Sequence, residues 1–154
     1  MSVALSQWPT LITERPIPVV LAEPHDAVRL SLRRLLEGEQ DLRVVAESGR
    51  LASLERRLLD HHPRVLVLDL NPADGVGLHD IRRISRRAPE VRIIAISMHE
   101  DPGFARAALD AGAAGFVLKE MADSELPQAI RQAIRGSRFV SPNVAARLQP
   151  RASR

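Results

Sequence analysis

An acid follows four consecutive aliphatic residues in the stretch Val65-Leu66-Val67-Leu68-Asp69. An uninterrupted aliphatic run of this length is typical of a strand that is buried on both faces, as in the middle of a parallel sheet. The aspartate then lies at the carboxyl end of the strand. In open parallel sheets the working residues lie at these ends. The stretch therefore predicts a buried strand that presents Asp69 at the functional edge of a sheet.

Strand-like runs occur on both sides of this stretch, at residues 18–22, 42–46, 91–96 and 115–118. The run at 42–46 alternates polar and apolar residues, which indicates a position nearer an edge. Apolar residues at helical spacing fill each gap and follow the last strand: Val28, Leu32, Leu35 and Leu36; Leu51, Leu54, Leu58 and Leu59; Leu78, Ile81 and Ile84; Phe104, Ala107, Ala108 and Ala111; Leu126, Ile130, Ala133 and Ile134. Five strand–helix repeats predict an α/β fold, with a parallel sheet covered by helices on both faces.

Composition agrees with one globular domain that has an aliphatic core. The 154 residues are 45% hydrophobic but only 3% aromatic, and there is no cysteine. Disulfides, zinc–thiolate sites and thiol catalysis are thereby excluded. We find neither a signal-peptide pattern nor an apolar run of about 20 residues, so a cytoplasmic location is expected. We predict a flexible extension at 1–16, the domain at 17–138, and a linker with a short helix and basic tail at 139–154. The Ser141-Pro142 pair is expected to cap and start that helix.

The basic character of the chain comes from its tail. Four arginines follow from position 138 onward without any acid, which more than accounts for the net charge of +3. The arginine doublets elsewhere fall in helical segments, where a solvated outer face explains them. No basic recognition helix is evident, so direct DNA binding by this chain is not expected.

Four polar residues follow four of the predicted strands: Glu23, Asp69, Ser97 and Lys119. Because the ends of parallel strands converge, these side chains should surround one point. The combination suits phosphoryl transfer to a carboxylate, with Asp69 as the nucleophile. Lys119 and the Ser97 hydroxyl would meet the charge on the phosphoryl oxygens. Two carboxylates with a main-chain carbonyl would hold Mg²⁺ through hard oxygen ligands.

Residues 17–140 resemble the receiver domains of two-component response regulators, most closely the NarL/FixJ type. The resemblance is carried by residues 22–25 (Ala-Glu-Pro-His), 67–70 (Val-Leu-Asp-Leu), 77–78 (Gly-Leu), 96–101 (Ile-Ser-Met-His-Glu-Asp), 111–116 (Ala-Gly-Ala-Ala-Gly-Phe) and 118–119 (Leu-Lys). It implies a flavodoxin-like, doubly wound sheet of five parallel strands in the order 2-1-3-4-5.

The resemblance also implies roles for individual residues. Asp69 would accept the phosphoryl group, and Asn71 would offer its carbonyl to a Mg²⁺ ion that Asp69 and Glu23 also bind. Ser97 would be the switch hydroxyl, which turns inward on phosphorylation and is followed by the switch aromatic Phe116. A sensor histidine kinase would be the phosphodonor, and homodimerisation the response. DNA would be bound only through an output domain that this chain lacks, in the service of transcription regulation.

The acidic pocket departs from the family pattern. The family has two adjacent acids after the first strand, and this chain has Glu23 and Pro24. Proline cannot bind a metal through its side chain, so the predicted Mg²⁺ site is weakened. Asp26 is a substitute in principle, although capping of the first helix is its expected role. After the acceptor, Pro72 stands one place earlier than the family's proline, where Ala73 is found.

The histidines and the aromatic residue have simpler interpretations. We expect a structural role for His25, and surface positions for the four others: His61, His62, His79 and His99. Phe116 fits the core as well as it fits a switch.

Two functions of different kinds remain open. One is a phosphorylated signalling receiver. The other is an atypical receiver, motivated by Pro24, which acts without phosphorylation as a dimerisation, protein-binding or ligand-binding module. A phosphatase of the haloacid dehalogenase type is disfavoured, because Asn71 stands where such enzymes need a second aspartate. We therefore expect a phosphoacceptor domain rather than an enzyme.

Overall fold

The structure, a computed structural model, describes residues 15–71 and 77–148. Five strand–helix units follow one another, and each helix carries one apolar stripe toward the sheet. The elements are β1 Ile17–Ala22, α1 Asp26–Glu37, β2 Leu42–Ser48, α2 Leu51–His61, β3 Val65–Asp69, α3 Leu78–Arg87, β4 Arg92–Ser97, α4 Pro102–Ala111, β5 Gly115–Leu118, a 3₁₀ turn Lys119–Met121, α5 Ala122–Ile134, β6 Phe139–Val140 and α6 Pro142–Leu148. In this described part of the chain, no helix is both long and apolar enough to cross a membrane.

The strands form one parallel sheet in the order β2-β1-β3-β4-β5-β6. The predicted order of the first five strands is confirmed, and β2 lies at the edge, as its alternating pattern indicated. All five residues of β3 are buried. The register pairs Ala22 with Leu68 and Asp69 with Ile96. Strands β1, β3 and β4 therefore end at nearly the same level, which brings the residues after them to one edge.

Alternate residues of the strands pack into two separate cores. On one face Val20, Leu66 and Leu68 contact helices α2, α3, α4 and α6. On the other face Val19, Val65 and Val67 contact α1 and α5. Each such buried side chain contributes about 1.5–3 kcal/mol, so two aliphatic cores hold the sheet rigid between the helical layers.

A sixth strand was missing from the prediction, which had five. Phe139 pairs with Gly115 and Val140 with Phe116, so residues 139–140 extend the sheet beyond β5. Two residues are too few to show a periodicity, which is why the sequence did not reveal this strand. Gly115 permits the close approach, because a Cβ there would lie 3.2 Å from the Phe139 carbonyl oxygen.

The short helix predicted after residue 141 is present as α6, but Ser141 does not cap it with its side chain. Instead, the buried Ser141 hydroxyl accepts a hydrogen bond from the Leu118 N–H at 2.9 Å and donates one to the Glu125 carboxylate. Val144 of α6 is fully buried in the core. The chain from 139 to 148 is therefore packed onto the sheet edge. Residues 1–14 of the extension predicted at 1–16, residues 149–154 of the predicted tail, and the Pro72–Ala73 turn lie outside the described residues.

Candidate functional site

Three of the four predicted strand-end residues meet in one cluster. Lys119, the first residue after β5, places its Nζ 3.0 Å from Oδ1 of Asp69 and 3.0 Å from Oε2 of Glu23. Asp69 ends β3, and Glu23 follows β1, whose last residue pairs with Leu68. Adjacent parallel strands thus deliver two carboxylates, and the ammonium comes from a strand farther along the sheet. The result is a compact cluster with two acids and one base.

Both carboxylates are withdrawn from water. Glu23 is 1% exposed and Asp69 is 2% exposed, whereas the Lys119 side chain is 15% exposed. A buried ion costs several kcal/mol unless it is paired, so the ammonium is required to hold two acids here. Lys119 is the only lysine in the chain; the other 21 of its 22 basic residues are arginines. Its compact ammonium, at the end of a flexible stem, contacts both carboxylates.

The protonation of the pair reflects this burial. Desolvation raises the pKa of Asp69, the negative charge of Glu23 raises it further, and the hydrogen bond and charge of Lys119 offset these effects only in part. For Lys119, desolvation lowers the pKa, but hydrogen bonds to Asp69 and Glu23 and their charges outweigh it, so the net pKa is raised. Lys119 is therefore firmly cationic. For Asp69, burial makes the ionised form less stable in the folded protein than it would be in water.

One oxygen of the acceptor carboxylate is available. Asp69 Oδ2 is buried and has no hydrogen-bond partner among the described residues, while Oδ1 faces Lys119. A buried carboxylate oxygen without a partner is costly, and it is also poised to receive a ligand. Carboxylate oxygens are the donors that divalent cations such as Mg²⁺ take in proteins, so the residues present fit a metal ion. Asn71, two residues later and partly buried, lies close enough in sequence to contribute to the same edge.

The turn after β1 brings a histidine to the pocket. The His25 backbone N–H donates to Glu23 Oε1 at 3.1 Å, and its Nδ1 lies 2.7 Å from the same oxygen. Glu23, His25 and Asp69 each offer one ligand atom, and these atoms lie within 4.8 Å of one another. These contacts agree with the structural role expected for His25, but the sequence did not reveal that its ring lies close to both acids. The clue in the sequence was Pro24, which removes an acid immediately before it.

Asp26 takes neither role that the sequence suggested. It is the first residue of α1 rather than its cap, which is His25, and no side-chain hydrogen bond caps this helix. The Asp26 side chain is 91% exposed and pairs with Arg29 at 2.8 Å. It therefore points into solvent rather than toward the acidic cluster. It does not belong to the group of metal-ligating side chains found in the described residues.

Ser97, the fourth strand-end residue, is oriented toward the following loop. It is fully buried, and its hydroxyl accepts a hydrogen bond from the His99 backbone N–H at 3.0 Å. This bond holds the hydroxyl to the start of the loop between β4 and α4. Ser97 is thus placed at the correct strand end, with its hydroxyl engaged by its own loop.

A row of three rings connects that loop to β5. The fully buried Phe116 meets Phe104 edge-on, with centroids 6.2 Å apart, and Phe104 meets His99 in the same manner at 5.9 Å. The sequence predicted Phe104 as part of the apolar face of a helix and His99 as a surface residue, but did not predict the contact between their rings. His99 is exposed as expected, yet its ring is one end of the row. The row joins the Ser97 loop to β5, the strand that precedes Lys119.

A pocket of about 300 Å³ opens beside the acceptor, between the ends of β1, β2 and β3. The residues that line it come from these three ends and the start of α2: Ala22, Glu23, Pro24, Ser48, Gly49, Arg50, Leu51, Leu68 and Asp69. Asp69 therefore forms part of the wall of a concave pocket, even though little of its own surface is exposed.

Comparisons with known proteins agree with this geometry. Residues 19–131 match the model of the response regulator receiver domain. The chain is 35% identical over 134 residues to the response regulator GacA of Pseudomonas protegens, an alignment that covers 86% of this chain and 62% of GacA. The chain thus spans less than two thirds of that curated relative.

Solved structures give the same result. A LuxR-family two-component response regulator from Aurantimonas sp. SI85-9A1 is 32% identical, with a TM-score of 0.80 over 87% of this chain and 96% of that one. The isolated REC domain of RcsB from Salmonella enterica serovar Typhimurium, solved with the phosphomimetic BeF₃⁻, is 30% identical, with a TM-score of 0.78 over 88% of this chain and all of that one.

Proposed function

This chain belongs to the response regulator receiver family, and on that premise we propose that Asp69 accepts a phosphoryl group from a sensor histidine kinase. The observation that carries the proposal is the pairing of Asp69 Oδ1 with the sole lysine, while the buried Oδ2 has no hydrogen-bond partner among the described residues. One oxygen is held by a cation and the other is available as a nucleophile. This is the arrangement that phosphoryl transfer to a carboxylate requires.

The transfer makes one bond and breaks one. A carboxylate oxygen of Asp69 attacks phosphorus, the new P–O bond forms as the P–N bond to the kinase imidazole breaks, and the electron pair stays on the departing nitrogen. Lys119 neutralises charge on the phosphoryl oxygens, since its ammonium already lies 3.0 Å from Asp69. A Mg²⁺ ion held by Glu23, Asp69 and the Asn71 carbonyl would supply further positive charge to those oxygens.

The response begins at Ser97. On phosphorylation its hydroxyl would give up the hydrogen bond from the His99 N–H and donate to a phosphoryl oxygen instead. This change would release the start of the loop before α4. Because His99, Phe104 and Phe116 pack ring against ring, a shift of this loop also repacks β5. Helix α6 packs on α4, so the change reaches residues 142–148. We propose that this rearrangement controls homodimerisation or an output domain beyond this chain, which the greater length of the relatives supports.

The test is phosphorylation of the chain by a small phosphodonor such as acetyl phosphate with Mg²⁺, followed by intact-mass measurement. The expected product is one base-labile phosphoryl adduct, absent from Asp69→Asn. Because Lys119 is the only lysine, ¹⁵N-lysine labelling gives one side-chain resonance at the site. Its shift on phosphorylation reports the same event independently. An unmodified mass and an unmoved resonance would contradict the proposal.

One specific observation favours a second candidate, a receiver that acts without phosphorylation. Pro24 stands where the family has its second acid, so the pocket has fewer oxygen ligands for Mg²⁺. In that case Asp69, Glu23 and Lys119 form a structural ion cluster, and regulation depends on dimerisation or on binding of a protein or ligand. This candidate predicts no adduct and the same association state for wild type and Asp69→Asn, measured by light scattering.

A further inference from the structure

The oxygens of the acidic pocket divide into two pairs. Lys119 takes Oε2 of Glu23 and Oδ1 of Asp69, each at 3.0 Å. The other oxygen of Asp69 is buried and has no hydrogen-bond partner in the described residues. The other oxygen of Glu23 is contacted by His25, through both its backbone N–H and its ring. The two oxygens that Lys119 does not contact, together with the His25 ring nitrogen, are therefore the candidate ligand atoms for a cation.

The local backbone explains why the imidazole is there. His25 precedes α1 in an extended conformation, with φ −86° and ψ 117°. Its N–H is bonded to the Glu23 side chain, which closes the turn over the residue between them. Pro24 forms this turn without contributing a donor or a ligand atom of its own. The His25 side chain is 54% exposed, and its Nδ1 faces the Glu23 carboxylate.

From this geometry we propose that His25 is the third side-chain ligand of the metal site, and that the site selects divalent transition ions such as Mn²⁺ or Zn²⁺ over Mg²⁺. Mg²⁺ prefers oxygen ligands in a near-octahedral shell, whereas imidazole nitrogen suits Zn²⁺ and similar transition ions. Mn²⁺ shares the carboxylate preference of Mg²⁺, but as a transition ion it also accepts a nitrogen ligand. The ligand atoms from Glu23, His25 and Asp69 already lie within 4.8 Å of one another. No cysteine competes, since the chain has none.

Charge alone does not select the ion. Two carboxylates and the Lys119 ammonium leave the cluster with a single net negative charge, which attracts all divalent cations alike, so a further ligand has to supply the selectivity. A transition ion gains a bond to neutral imidazole in addition, as Nδ1 gives up its hydrogen bond to Glu23 and the ring proton is carried on Nε2. With Pro24 at the position of the family's second acid and His25 next to it, the site therefore binds a different class of metal ion and is not merely a weaker Mg²⁺ site.

The proposal rests on the same pocket as the proposed function, so its test is direct metal binding without phosphorylation. Mn²⁺ is titrated into the whole chain and followed by electron paramagnetic resonance, with electron spin echo modulation to detect nitrogen bound to the ion. We expect a nitrogen coupling in wild type and at least tenfold tighter binding of Mn²⁺ than of Mg²⁺, the latter measured by competition. His25→Gln should lose the coupling and bind Mn²⁺ about tenfold or more weakly.

The matched control is His61→Gln, an exposed histidine at the end of α2 that has no part in the site and should leave both readouts unchanged. Pro24→Asp tests the opposite effect. It restores an oxygen ligand, so the ratio of Mn²⁺ affinity to Mg²⁺ affinity should decrease. Thermal melts of each variant without metal establish that it is folded. Wild type without nitrogen coupling, or His25→Gln with unaltered Mn²⁺ affinity, would overturn the proposal. If His25→Gln still forms the phosphoryl adduct with Mg²⁺ present, Asp69 is phosphorylated whether or not His25 binds metal, so the proposed function stands even if this proposal fails.

Discussion

Replacement of Lys119 by methionine is the most informative perturbation of the buried cluster. Methionine has a similar volume, so the change removes the charge without opening a large cavity. Each carboxylate oxygen lies 3.0 Å from Nζ, a separation at which one pair is worth about 5 kcal/mol at an effective dielectric constant of ~20. Desolvation offsets part of that gain. Removal of one partner of a buried ion pair typically costs about 3–5 kcal/mol, because the remaining charge is left uncompensated.

The cost should depend on pH, with a sign that follows from the pKa of Asp69. Desolvation and the charge of Glu23 raise this pKa, and Lys119 opposes both. Without Lys119 the pKa rises further. A carboxyl whose folded-state pKa is raised destabilises the fold when it is ionised, and this penalty is present above the folded pKa and disappears as the pH falls through it. We therefore expect a deficit of about 3–5 kcal/mol near pH 8 and a smaller one near pH 5.

Urea denaturation across this pH range measures the free energy of unfolding directly. Arg33→Met is a suitable control, because the Arg33 side chain is 45% exposed and its ion pairs lie at the surface; it should have little effect. The double variant Lys119→Met/Asp69→Asn should recover much of the stability lost in Lys119→Met. A deficit that is the same at pH 5 and pH 8, or no deficit at all, would show that the cluster is not the source of this energy.

Other substitutions test neighbouring features. Asp69→Asn alone should raise the melting temperature at neutral pH, because the ionised acid is disfavoured there; this gain should vanish as the pH falls through the raised pKa, and a lower melting temperature at neutral pH would contradict it. Gly112→Ala should cost about 2–5 kcal/mol by chemical denaturation, since φ is +125° and the new Cβ would lie 2.5 Å from the Ser85 Oγ, whereas Gly136→Ala, at φ +88° with nothing within 4 Å, should cost only about 1–2 kcal/mol. Equal costs for the two would refute the steric argument. Ser141→Ala should cost about 1–3 kcal/mol in urea, because a buried carboxylate and a backbone N–H lose their shared partner; a neutral result would mean that water replaces the hydroxyl.

Local pattern was sufficient to predict the strand–helix repeats and the identity of the cluster. The aliphatic run before Asp69 and the polar residues after the neighbouring strands are visible in the chain, because burial on both faces demands continuous apolar residues and a parallel sheet aligns its strand ends. The placement of Glu23 and Lys119 around Asp69 follows from that alignment. These features depend on periodicity, which a sequence records directly.

Contacts between distant segments were decided only by the tertiary structure. The sequence indicated a cap for Ser141, but its hydroxyl bonds Leu118 and Glu125 because β6 brings it beside β5. It indicated a cap for Asp26, but the turn through Pro24 makes His25 the cap and directs its imidazole to Glu23. The reason is the same in both cases. A polar side chain near a helix start has several partners in reach, and only the packing of the surrounding elements determines which of them it meets.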